Sequence, residues 1–80
     1  MTPDRYRAAL SVAPSLAAPL ASGADYHTLS NAQRCDLKAA ADAVKYRDPR
    51  SAHGRSRLYC FYLALARARG AERRESGYVR

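Results

Sequence analysis

Seventeen alanines stand against eight leucines, three valines and one phenylalanine, with no isoleucine and no tryptophan. This chain therefore has little bulk with which to fill an interior. Its 80 residues allow one small domain, in the size range where a single core is marginally stable. Fully burying one large apolar side chain contributes roughly 1.5–3 kcal/mol before conformational entropy is subtracted. Modest stability follows, and dimerisation or folding on a partner would supplement it.

Local signals divide the chain into helices. Thr2-Pro3-Asp4 combines an N-cap hydroxyl, a proline at the first helical position and an acid in the first turn. Tyr6, Ala9, Leu10 and Ala13 repeat at helical spacing behind it, and Pro14 closes this short first helix. Residues 14–25 are rich in Ala, Pro, Ser and Gly, with Leu16 and Leu20 four apart; a loop with one packed turn is expected. Ser30-Asn31-Ala32-Gln33 has the form of a capping box and opens a second helix to about residue 46. Leu37, Ala40, Ala41 and Val44 line one face of it, while Arg34, Lys38, Asp42 and Lys45 gather on the others. Asp48-Pro49 ends it, because a residue preceding proline avoids the helical region.

A third helix is expected over 55–69. Leu58, Phe61, Tyr62 and Leu65 form its core stripe, and Tyr59, Cys60, Leu63 and Ala66 make much of the rest apolar. A helix apolar nearly all round is either central or has a second partner surface. Gly70 suits a C-terminal stop, with Arg67 and Arg69 in the last turn opposing the negative end of the helix dipole. The run Leu58-Tyr59-Cys60-Phe61-Tyr62 also has strand propensity, but it continues into Ala-Leu-Ala-Arg without a turn, and no other segment offers a partner strand. The reading is all-α: a small three-helix domain over residues 1–70, a basic loop between helices 2 and 3, and a frayed charged tail over 71–80.

Cys35 and Cys60 lack C-x-x-C spacing and fall in predicted helices. Two buried free thiols in a reducing compartment are expected, with one bridge between the helices as the alternative. Separated from them and from each other, His27 and His53 do not suggest a metal site. The start of the chain, 5–23, loosely imitates a signal or transit peptide; Asp4, Pro14, Pro19 and the small alanine side chains argue against it. The longest apolar run, 58–66, is far too short to span a bilayer, so a cytoplasmic protein without membrane contact is expected.

Charge is the feature that speaks to function. Of a net charge of +7, all falls in residues 45–74, where Lys45, Arg47, Arg50, Arg55, Arg57, Arg67, Arg69, Arg73 and Arg74 face only Asp48 and Glu72. Nine minus two gives +7, and the remaining residues sum to zero. Such segregation marks a protein that meets a polyanion or an acidic partner face. Twelve of the fourteen basic residues are Arg, whose planar fork binds phosphate and carboxylate bidentately. A GC-rich genome would also write Arg over Lys, but codon usage does not explain the clustering.

The richest run is Tyr46-Arg47-Asp48-Pro49-Arg50-Ser51-Ala52-His53-Gly54-Arg55-Ser56-Arg57, followed by Tyr59 and Tyr62. Arginines alternate with small residues, Ser51 and Ser56 add hydroxyls, and the start of the third helix aims free N–H groups forward, which together would cradle phosphate. Tyr46 and Tyr59 would stack on unpaired bases. The plainer reading is a solvated loop whose arginines pair with Asp36, Asp42 and Asp48. A helix-turn-helix wants three or four residues between its helices, and about eight separate helices 2 and 3 here.

No nucleophile elbow, P-loop, paired carboxylates or metal-ligand spacing occurs. A lone His53 in a basic loop is a polar contact rather than a catalyst, so no enzyme activity, cofactor or metal is expected. The expected function is non-enzymatic engagement of nucleic acid or a nucleoprotein complex. Lys45, Arg47, Arg50, His53, Arg55, Ser56, Arg57, Tyr59, Arg67, Arg69, Arg73 and Arg74 are the contact residues. The alternative is a phage- or mobile-element-encoded inhibitor docking on the acidic surface of a host protein complex through Arg and Tyr side chains. Small anti-CRISPR-type proteins share that size and character, although no motif carries the comparison. A homodimer through helix 3 is the third option.

Overall fold

The computed structural model describes residues 1–47 and 54–77, and side chains through residue 47 and from 57 to 70. Helix α1 spans Pro3–Val12, α2 Ala17–Ser22, α3 Asn31–Ala43 and α4 Gly54–Gly77, with 3-10 turns at Pro14–Leu16 and Tyr26–Thr28. No strand occurs among the described residues. The fold is all-α, as the sequence predicts.

The two N-caps form as their sequences dictate. Thr2 is extended and its hydroxyl accepts the Arg5 N–H at 3.2 Å, with Pro3 opening α1. At α3 the Ser30 hydroxyl accepts from Gln33 N–H at 3.1 Å, and the Gln33 amide oxygen accepts from Ser30 N–H at 2.9 Å. Each satisfies donors that a helix start leaves without intrahelical partners.

Residues 14–25 are more structured than a connector with one turn. Pro14 opens the first 3-10 turn, and Pro19 is the third residue of α2, both at positions whose N–H would have no helical acceptor. Pro14 thus both follows the end of α1, as predicted, and opens the next turn. Gly23 (φ 74) ends α2 in the left-handed region, with Gly23 N–H on the Leu20 carbonyl at 3.4 Å and Ala24 N–H on the Pro19 carbonyl at 2.9 Å, a Schellman closure. Leu16, Pro19 and Leu20 are buried.

Helix α3 stops at Ala43, short of the expected residue 46. The same closure ends it: Lys45 takes φ 53, its N–H bonds the Asp42 carbonyl at 3.2 Å, and Tyr46 N–H reaches the Ala41 carbonyl at 2.9 Å. A lysine occupies a conformation usually left to glycine. The turn swings Tyr46 onto Phe61, ring centroids 4.9 Å apart.

Helix α4 is longer than the expected 55–69 and passes through Gly70. Gly70 is not left-handed, so it makes no C-terminal closure. One glycine costs a helix about 1 kcal/mol relative to alanine, and the following Ala-Glu-Arg-Arg-Glu are helix formers. The helix continues to Gly77, while 78–80 lie outside the described residues. At about 36 Å of rise, α4 fits the 43 Å long axis of a molecule measuring 25 and 19 Å across.

One core joins the elements. Phe61, Tyr62 and Leu65 of α4 meet Leu37 of α3, Leu16 and Leu20 of the connecting turns, and Tyr6 of α1. Ala9, Ala13, Ala40, Ala41 and Ala68 are also buried. Small side chains let helices approach closely, which is how a chain short of bulk closes its interior. Leu10, Val44 and Leu58 pack at the margin.

Both cysteines are free, but the expectation of two buried thiols fails: Cys35 is exposed and Cys60 half-buried. Two residues separate Cys35 from the buried Leu37, which turns it about 200° away from the core stripe. Among the described residues no helix is long and apolar enough to cross a membrane.

Candidate functional site

Of the expected contact residues, the structure describes the side chains of Lys45, Arg47, Arg57, Tyr59, Arg67 and Arg69. Lys45 and Arg47 are exposed beyond the end of α3. Arg50 and His53, with Asp48, Pro49, Ser51 and Ala52 of the expected cradle, lie outside the described residues. Arg55 and Ser56 sit in the first turn of α4, and Arg73 and Arg74 in its last turns. Arg67 is exposed and Arg69 half-buried. Ten residues, about 15 Å along the helix, separate Arg57 from Arg67, so two basic groups flank the apolar stretch 58–66.

Arg57 is committed within the fold. Its side chain, 30% exposed, donates to the Asp42 carboxylate at 3.1 Å and to the Tyr46 carbonyl at 3.5 Å. Lys38 reaches the other Asp42 oxygen at 3.2 Å. The Lys38 hydrogen bond, followed by that from Arg57, holds the Asp42 carboxyl below its ordinary value of 3.8. Arg57 therefore ties the start of α4 to the end of α3, while Arg5 of α1 bonds the Val44 carbonyl of the same turn. The plainer reading, an arginine paired with Asp42, holds for this position.

Two further aspartates are occupied locally. Asp4 pairs with Arg7 at 2.8 Å, and Asp36 accepts the Ser15 hydroxyl at 2.7 Å. Among the described residues no carboxylate pairs with Lys45, Arg47, Arg67 or Arg69.

Tyr59 meets residues that the sequence reading did not connect to it. Phe61 is buried, and two helical residues earlier the side chain points well away from the core, leaving Tyr59 39% exposed. It lies against the Tyr26–Thr28 turn. The His27 ring stacks with Tyr59 at 5.8 Å and 25°, and Tyr26 stands near-perpendicular to both, with ring centroids 5.5 Å from His27 and 5.7 Å from Tyr59. These separations fall in the range of favourable aromatic pairs.

Several bonds fix the turn. Thr28 donates to the Asp25 carbonyl through its N–H at 3.0 Å and its hydroxyl at 2.7 Å, and Leu29, buried, donates its N–H to Tyr26. From α3, Arg34 donates to the His27 carbonyl at 3.1 Å and holds its guanidinium over the Tyr26 ring at 5.3 Å. Beneath, the Tyr62 hydroxyl donates to the Ala24 carbonyl at 2.8 Å. Burial, then the nearby Asp25 charge, pushes the Tyr62 phenol above its usual 10.0.

Tyr46, the second expected stacking residue, is half-buried against Phe61 and serves the core. Tyr26, His27 and Arg34 carry no periodic signal that would link them to Tyr59. Only the packing of the 3-10 turn on α4 brings them together. Among the described residues no group of three or more His, Cys, Asp or Glu side chains could hold a metal.

No protein-family model, curated protein or solved structure matches the chain.

Proposed function

We propose that the protein is a non-enzymatic, cytoplasmic nucleic-acid-binding protein that contacts phosphates with Lys45, Arg47 and the arginines of α4. The observation that carries this reading is the segregation of charge. All of the +7 lies in residues 45–74, and Lys45, Arg47 and Arg67 are exposed while Asp4, Asp36 and Asp42 are engaged elsewhere and Asp25 lies exposed at the Tyr26–Thr28 turn. Among the described residues no carboxylate pairs with Lys45, Arg47, Arg67 or Arg69, and such cations gain by displacing counterions from a polyanion. Such contacts fix orientation without reading sequence. Arg57 stands apart, as a strut rather than a phosphate contact.

The test is fluorescence anisotropy on labelled DNA and RNA of unrelated sequences with Arg47→Ala and Arg67→Ala. Both substitutions weaken binding to the same extent on every sequence. Unchanged affinity in both would overturn the reading. If instead the protein holds an acidic host protein or nucleoprotein surface, as the phage-encoded inhibitor alternative requires, capture survives nuclease treatment and free nucleic acid is not bound.

A further inference from the structure

We infer that Tyr59 and His27, braced by Tyr26 and Arg34, form a stacking platform for unpaired bases, making single-stranded nucleic acid the preferred ligand. The inference rests on the nucleic-acid reading above and names the form that the surface selects.

Three observations carry it. Tyr59 and the exposed His27 offer near-parallel ring planes, 25° apart, at the surface. These rings are preorganised: Tyr26 packs near-perpendicular against both, and Arg34 grips the turn through the His27 carbonyl and the Tyr26 face.

The third observation is where the cations stand. Arg55 precedes Tyr59 by four residues on α4, about one turn, and Arg67 follows it by eight, about 12 Å of rise. A helix that carries the exposed Arg67 beyond an aromatic step suits a strand whose base stacks on the rings while its backbone runs past them. In a duplex the base faces are already covered by their neighbours, so the rings have nothing to add there. Stacking is indifferent to base identity because every base has a π-face, in keeping with phosphate contacts that read no sequence.

The experiment compares the full chain with Tyr59→Leu and Tyr59→Phe on a labelled oligothymidine of about 12 nucleotides and a duplex of the same length. Circular dichroism confirms that the variants remain helical. Tyr59→Leu is expected to lose about 5- to 150-fold in single-strand affinity, the loss of one stacked base, with duplex affinity unchanged. Tyr59→Phe, which keeps the ring, retains single-strand binding. Equal single-strand affinity in Tyr59→Leu and the parent, while Arg67→Ala weakens both forms, would overturn the platform and leave the phosphate reading standing. Failure of the parent chain to bind either form would overturn both.

Discussion

Leu16 decides whether residues 14–25 are a connector or part of the core. Its side chain is fully buried, at 0% exposure, under the turn that Pro14 opens. Replacing it with alanine removes three carbons. Transfer alone costs roughly 2.4 kcal/mol at about 0.8 kcal/mol per methylene, and the residual cavity brings the expected loss to about 2.7–5 kcal/mol. A domain of 80 residues holds about 4–12 kcal/mol in total, so Leu16→Ala forfeits a large share. Urea unfolding followed by far-UV circular dichroism reads this directly. At a slope of about 1 kcal/mol per molar, the midpoint falls by about 3 M, or the variant is already unfolded in water. Val12, 45% exposed in the neighbouring turn, is the control, and Val12→Ala stays within about 0.5 kcal/mol of the parent. A Leu16→Ala midpoint indistinguishable from that of Val12→Ala would refute the packed account of this segment.

Tyr62→Phe removes the bond to the Ala24 carbonyl and costs about 0.5–1.5 kcal/mol in the same assay. Because the folded phenol titrates above 10.0, its stabilisation is complete below that pH and lost as pH rises through the folded value. The parent therefore weakens in alkali more steeply than Tyr62→Phe. Asp42 has the opposite sign. Its carboxyl lies below 3.8 in the fold, so the stability it contributes is present above 3.8 and disappears as pH falls through the folded value. Thermal midpoints measured against pH show a shallower acid limb in Asp42→Asn. Lys45→Gly relieves the left-handed lysine at φ 53. It raises stability by about 0.5–1 kcal/mol, the left-handed penalty less the backbone entropy of glycine, while weakening nucleic-acid binding in a parallel anisotropy measurement.

What was legible in the sequence was local. Thr2 and the Ser30–Gln33 box act over three residues, and both caps form as written. The stripes Leu37-Ala40-Ala41 and Phe61-Tyr62-Leu65 follow helical spacing, and both are buried. Helix ends were harder to read, because the signal depends on backbone conformation more than residue type. Gly70 resembles a stop yet stays helical, whereas Lys45 makes the left-handed closure. Pro14 follows the end of α1 as the sequence predicts, but that Pro14 and Pro19 also sit in the first turns of the segments that follow depends on where those turns begin.

The site was legible in part. Charge segregation is a property of composition along the chain, so it needs no fold. Pairing is not: Asp42 and Arg57 are fifteen residues apart, and their bond depends on how the end of α3 meets the start of α4. Tyr59 was visible as a residue off the core stripe. Its companions Tyr26 and His27 were not, since a 3-10 turn has no periodicity to assign them a face and only tertiary packing sets them against α4.

The salt dependence of nucleic-acid binding tests the central claim most directly. If five to eight of Lys45, Arg47, Arg50, Arg55, Arg67, Arg69, Arg73 and Arg74 neutralise phosphates, log affinity for a duplex falls against log salt with a slope of about −4.5 to −7. Arg47→Ala makes that slope shallower by about 0.9, whereas Arg57→Ala, already bonded to Asp42, leaves it unchanged. No measurable binding to DNA or RNA at low salt, or an affinity indifferent to salt, would contradict the account and turn the basic surface into a docking face for an acidic protein.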